Sequence, residues 1–195
     1  MTNTSQPMTA EAIAKVEDLH GKWRRSDEGG VRADLADANL AGANLTGANL
    51  TRAYLPRANL AYANLAYANL AYAYLTRANL AYANLAYANL TGADLTGANL
   101  AYANLAYAYL NGAILTGAKM NWQSHDLIAE LLRRKAGDDP ARRSLVGLIL
   151  VSKDWCWNQF LALQHHEREW ALGVLREYAA SDADAPEVIR TKEAS

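Results

Sequence analysis

The chain has 195 residues, enough for one domain or two small ones, with 19 basic and 20 acidic residues and a net charge of -1. That balance argues against a dedicated nucleic-acid binder and against a strongly acidic DNA decoy. A single cysteine excludes an internal disulfide, and no apolar run is long enough to span a bilayer.

Residues 1–32 read as a leader. Its start lacks a basic segment followed by an apolar core, so a secretory signal is not expected and the cytoplasm is the expected compartment. Thr9 is placed to cap a helix running to about His20, with Ile13, Val16 and Leu19 on one side and Gly21 as its end. Trp23 is expected to pack on whatever follows.

Residues 33–122 are a five-residue repeat, from ADLAD and ANLAG through many copies of ANLAY to AKMNW, 18 units over 90 residues. A helix cannot use this period, because five residues turn it by about 500° and scatter the leucines around its axis. In an extended chain residues two apart share a face, so Ala58 and Leu60 point the same way. The next such pair starts at Ala63, out of phase, which implies a corner in every unit. Repeated corners wind the chain around a core of alanine and leucine. Residues 53–72 match 73–92 at 17 of 20 positions, against 14 of 20 for a shift of five, so one turn of the coil takes four units. Asparagine at the second position suits a corner, where its side chain can bond to nearby backbone.

The A-(D/N)-L-x-x motif, repeated in this way over about half the chain, resembles the pentapeptide-repeat family. The flanking stretches HGKWRRSDEGGVRADL and NWQSHDLIAELLRRKAGDD are similar to those of bacterial and phage members. The resemblance implies an all-β solenoid, a right-handed quadrilateral β-helix of about 4.5 coils. Open coils expose strand edges, so covers are needed at the ends. The leader helix is expected to supply one and the C-terminal region the other.

Residues 123–195 read as a helical domain. Ser124 can cap a helix over 125–136 with Leu127, Ile128, Leu131 and Leu132 in one stripe and Gly137 as terminator. Asp139-Pro140 starts a second helix. Its run LVGLILV is compatible with a strand, but Pro140 and the flanking charges favour a buried helix. A third is expected from Asp154 and a fourth over 166–180 with Trp170, Val174, Leu175 and Tyr178. The tail beyond Ser181 is expected to fray.

At a spacing of 20, Tyr62, Tyr82, Tyr102 and Trp122 form one ladder, and Tyr67, Tyr87 and Tyr107 form another at the next corner. Tyr54 and Tyr74 line a third row, with Arg57 and Arg77 nearby. Alanine and leucine already fill the core, so these rings face outward. They act either as self-supporting stacks or as a docking wall. Aromatic platforms can also stack bases. However, Arg52, Arg57, Arg77 and Lys119 against Asp34, Asp37 and Asp94 leave the zone at only +1. A nucleic-acid partner is therefore not expected.

No catalytic constellation stands out. Cys156 between Trp155 and Trp157 reads as a buried inert thiol. His125, His165 and His166 fall short of a zinc pattern, and no cofactor is expected. Asp138 and Asp139 read as a helix start. Arg133, Arg134 and Lys135 read as a solvated helix end. The expected function is a non-enzymatic interaction or scaffold module whose partner is an unknown protein or a second copy of itself, with no membrane association. The alternative comes from the family, some members of which imitate duplex DNA and bind DNA gyrase or related topoisomerases. Asparagine where such a decoy needs aspartate disfavours it.

Overall fold

A computed structural model of the chain describes residues 6–122, 124–151, 160, 162, 166–180, 182 and 185–190. The chain divides into two compact units, Met1–Lys119 and Met120–Ser195.

The first unit opens with helix α1, Ala10–Arg25, whose first turn is capped by the Thr9 hydroxyl accepting from the Ala12 N–H at 3.2 Å. The helix runs five residues beyond the expected His20 and passes through Gly21. A helical glycine costs only about 1 kcal/mol. Here Lys22 is tied to Asp18 at 2.8 Å one turn back, and Trp23 stacks on His20 with ring centroids 5.3 Å apart. The terminator is Ser26, in the left-handed region at φ 61°, where its N–H and that of Asp27 donate to the carbonyls of Trp23 and Lys22. Ile13 and Val16 face Leu35, Leu40, Leu45 and Leu50 around a gap of only about 10 Å³. The helix therefore covers the leucines of the first coil.

The repeat that follows is held by parallel bridges with a constant register of twenty. Asp34, Asn39, Asn44 and Asn49 pair with Tyr54, Asn59, Asn64 and Asn69, and the pattern continues to Asn99 with Lys119. Four bridged columns therefore share each turn. Alanine at the first position and leucine at the third fill the interior, and Leu55 to Leu100 are essentially inaccessible.

The unit Ala58–Tyr62 shows why the motif has the letters it has, because each of its five N–H groups has a partner. Ala58 donates to Leu55 across the corner, Asn59 to Ala38 on the preceding coil, and Leu60 and Tyr62 to Asn79 and Ala81 on the following one. The fourth, Ala61, donates to the Asn59 side-chain oxygen at 3.2 Å. Asparagine is thus the acceptor for a donor that no coil reaches. The Asn79 amide, in turn, donates to Asn59 at 3.2 Å, linking coils through side chains. Where tyrosine replaces asparagine at Tyr54, the fourth residue is Pro56, which has no N–H to satisfy. Pro56 and Arg57, at φ 57°, form the centre of a type II turn closed by Ala58 donating to Leu55.

The second unit is helical in its described residues. Helix α2 is His125–Ala136, capped by Ser124 accepting from the Leu127 N–H, and Gly137 follows it at φ 56°. Helix α3 is Pro140–Val151, so LVGLILV is helical; Asp139 accepts from the N–H groups of Ala141 and Arg142 at its start. Helix α4 is Arg168–Ala179 and helix α5 is Glu187–Arg190. Leu127, Ile128, Leu131 and Leu132 are buried, as are Leu145, Ile149, Phe160 and Leu175. The helix expected from Asp154 and the surroundings of Cys156, Trp155, Trp157 and His165 lie outside the described residues.

Of the tail expected to fray beyond Ser181, the structure describes Asp182 and residues 185–190. Asp182 is buried, and its carboxylate accepts from the Met120 N–H and from Trp122 Nε1, both at 2.8 Å, while Ala185 and Ile189 are also buried. Asp182→Ala would strand two buried donors and should cost about 2 kcal/mol or more of the second unit's stability in urea unfolding. None of the described helices is long and apolar enough to cross a membrane.

Candidate interaction surface

From Asp37 to Gly117 the fifth residue of each unit sits at the corner with a left-handed backbone. Glycine holds this position at Gly42, Gly47, Gly92, Gly97, Gly112 and Gly117. Tyrosine holds it at Tyr62, Tyr82 and Tyr102 in one column and Tyr67, Tyr87 and Tyr107 in the next, with φ between 56° and 61°. For a side chain with a Cβ this conformation costs about 1–2 kcal/mol. Because the corner projects the side chain away from the core, all six rings are exposed, from 44% at Tyr87 to 66% at Tyr62 and Tyr107.

The rings are ordered by the coil spacing, which matches the usual distance between neighbouring strands. Tyr62 stacks on Tyr82 at 4.9 Å and 2°, and Tyr82 on Tyr102 at 4.9 Å and 10°. In the second column Tyr67 stacks on Tyr87 at 5.0 Å and 2°, and Tyr87 on Tyr107 at 4.9 Å and 15°. Between the two columns runs a ladder of asparagines. Asn104 donates to Asn84 and Asn84 to Asn64, at 3.2 and 3.3 Å. The face is therefore two aromatic rails on either side of a neutral amide track.

Trp122 does not continue the first ladder as an exposed rung. It is 4% exposed, and its indole N–H is committed to Asp182 within the second unit. A buried indole donor must find an acceptor, and the one it finds is sixty residues away in sequence.

Tyr54 and Tyr74 also differ from the other pairs. Their rings are 6.0 Å apart but tilted by 56°, and the Arg32 guanidinium lies 5.9 and 5.1 Å from their centroids and 6.0 Å from Trp23. Arg32 Nε also donates to the Arg52 carbonyl at 2.6 Å. Arg32 precedes the repeat and so has no place in its phase. Arg57 is clamped on Asp37 by two hydrogen bonds of 2.6 Å, which hold the Asp37 carboxyl below the ordinary carboxylate range. Arg77 rises along its column past Gly97. Tyr72 and Tyr109, 54% and 61% exposed, were not among the expected surface residues. Tyr72 occupies the same fifth position as the ladders, a signal that position alone carries.

Among the described residues no group of three or more His, Cys, Asp or Glu side chains could hold a metal ion. Asp139 is engaged at the start of α3, as a helix cap, and Arg133 and Arg134 pair with Glu130 while Lys135 pairs with Glu177.

The family model for pentapeptide repeats matches in eight copies, over residues 33–66, 58–97 and 93–122. Among solved structures, one similar chain is HetL, a pentapeptide repeat protein involved in heterocyst differentiation regulation in the cyanobacterium Nostoc sp. strain PCC 7120. It is 41% identical over 48% of this chain and 43% of its own, with a TM-score of 0.46. Rfr23 from the cyanobacterium Cyanothece 51142 is 40% identical over 46% of this chain and 59% of its own, with a TM-score of 0.43. QnrB1, a plasmid-mediated fluoroquinolone resistance protein, is 25% identical over 51% of this chain and 54% of its own, with a TM-score of 0.41. The chain thus spans about half the length of these proteins. Comparison with curated proteins found no match. Through the eight matched copies of its motif, and the twenty-residue register they produce, the chain belongs to the pentapeptide-repeat family.

Proposed function

We propose that the repeat zone is a right-handed, four-sided β-helix of about 4.5 coils that serves as a non-enzymatic protein-interaction or scaffold module. Its docking wall is the paired tyrosine columns Tyr62, Tyr82, Tyr102 and Tyr67, Tyr87, Tyr107, with Tyr54, Tyr74, Arg57 and Arg77 at its flank. The cytoplasm is the compartment this reading takes, in keeping with a single cysteine.

The observation that carries it is the left-handed backbone under every one of the six rings. Glycine adopts that conformation without cost and stands at Gly42 and Gly47 in the same two columns. A middle rung such as Tyr82 gains about 1–3 kcal/mol from its two stacked neighbours and forfeits about 1–2 kcal/mol to its backbone. The ladder contributes little net stability, so stabilisation is a weak reason for six outward rings.

The Tyr82→Gly, Tyr87→Gly double variant is therefore expected to unfold within about 1 kcal/mol of the parent protein. It should also lose the partner that crosslinks to the intact chain in cells. If the variant instead loses several kcal/mol and keeps the crosslink, the rings are structural and the docking wall is wrong.

The DNA-mimic alternative requires an anionic column. Asn39, Asn59, Asn79 and Asn99 are neutral, with side chains already bonded to backbone and to one another, and at the second position of the repeat only Asp34 and Asp94 are acidic. Supercoiling by purified DNA gyrase is expected to be unchanged by the protein.

A further inference from the structure

Where the end of α1 meets the repeat, Trp23, Arg24, Ser26, Thr51, Arg52 and Tyr72 line a recess of about 410 Å³. That volume falls within the range of small-ligand sites. No carboxylate lines it. Of the acids around the helix end, Asp18 is committed to Lys22 at 2.8 Å and Asp27 to Arg25 at 2.7 Å, and Glu28 is not among the residues that line the recess. Arg24 and Arg52 are exposed, and neither has a carboxylate partner among the described residues. The helix C-terminus would oppose an anion through its carbonyls. Those of Trp23 and Lys22, however, already accept from Ser26 and Asp27.

The aromatic walls are equally specific. Tyr72 is 54% exposed, with the Arg52 guanidinium 5.9 Å from its centroid. Its ring lies where a Cβ on Gly92 would come within 2.6 Å, so glycine twenty residues on is what lets this ring lie over the next coil. Neither tyrosine column above has such an arrangement, in which a lone ring sits over a glycine beside an unpaired arginine. Trp23 is fixed by its stacking on His20.

We infer that this recess binds a nucleoside monophosphate. Two guanidinium groups without counter-ions suit a phosphate dianion, which arginine engages through paired N–H donors, and the Ser26 hydroxyl adds a further donor. The exposed Tyr72 ring offers a stacking surface to the base, a contact that any base can make, and the Trp23 indole lines the recess beside it. An inorganic anion would use the arginines and leave the rings idle.

Isothermal titration of the full chain tests this with adenosine 5′-monophosphate, guanosine 5′-monophosphate, adenosine and inorganic phosphate. Both nucleotides should bind, and adenosine and phosphate should each bind about tenfold more weakly or worse. R24Q and R52Q should each weaken the nucleotide about tenfold, and Tyr72→Leu by a similar factor. Arg24 lies on the exposed side of α1 without an ion pair, so R24Q alone decides the matter if R52Q folds poorly. Absence of nucleotide binding at millimolar concentration, or affinity unchanged in R24Q, overturns the proposal. Phosphate binding as tightly as the nucleotides overturns it too, since the rings then contribute nothing.

Discussion

Leu80→Ala is expected to lower the stability of the first unit by about 3–4 kcal/mol, read from the urea midpoint at unchanged slope. Leu80 is completely buried, and so are Leu60 and Leu100 one coil away on either side. Its backbone is fixed from both directions, Leu80 donating to Asn99 and Ala83 to Leu80. A coil whose bridges hold the register at twenty cannot close around the missing side chain without breaking hydrogen bonds to the coils above and below, so the cavity stays open and its cost adds to the lost burial. A volume-conserving Leu80→Met should cost less than about 1.5 kcal/mol. Each coil touches only its neighbours, so hydrogen exchange in Leu80→Ala should accelerate first in the amides next to this coil. Uniform acceleration along the repeat would contradict nearest-neighbour coupling.

Replacement of His20 should have an effect of similar size, for a different reason. His20 is fully buried between α1 and the start of the repeat. The Ala33 N–H donates to Nδ1 at 3.1 Å, which leaves Nε2 to carry the proton and donate to the Thr51 carbonyl at 3.1 Å. One neutral tautomer therefore joins the helix, the first residue of the repeat and a residue at the end of its first turn. His20→Ala leaves a buried donor and a buried acceptor without partners and empties the space beneath Trp23, a loss of about 3–5 kcal/mol in the docking of α1.

Acid should act on the same bond. Burial pushes the His20 imidazole below its ordinary value, the Thr51 carbonyl pulls it the other way, and the charges of Arg24 and Arg32 lower it further. When α1 is undocked, the ring takes up a proton near the ordinary value of about 6.5; when it is docked, the ring resists until lower pH. The stability that His20 contributes is therefore complete above about pH 6.5 and declines as pH falls from there towards the depressed folded value. The proton must enter at Nδ1, where it displaces the Ala33 hydrogen bond. Exchange of the Ala33 amide should accelerate, beyond its intrinsic pH dependence, as pH drops through this window. His20→Gln should lose that extra acceleration. An Ala33 amide equally protected throughout the window in the parent protein would refute the tautomer assignment.

Much of the first unit could be read from residues close together in the sequence. The phase break between Leu60 and Ala63 implies the corner, and the likeness of 53–72 to 73–92 gives the register that the bridges follow. Alanine and leucine lie inside because residues two apart in an extended chain share a face. Thr9, Ser124 and Asp139 mark helix starts because a cap is a contact over three residues. The outward ladders at Tyr62, Tyr67 and their partners follow from the same arithmetic, since a contact repeated at a constant separation of twenty leaves a period in the letters.

Other features were decided only by the folded chain. Trp122 was in phase with the ladder, yet Asp182 holds it in the second unit, and the acid that does so lies in a stretch whose composition suggests fraying. Arg32 among Trp23, Tyr54 and Tyr74, and His20 between Ala33 and Thr51, join segments outside the repeat to segments inside it. Such contacts occur once each, at separations that nothing repeats, so local pattern carries no trace of them. They form because a buried donor, acceptor or ring must be satisfied by whatever the completed fold brings within reach.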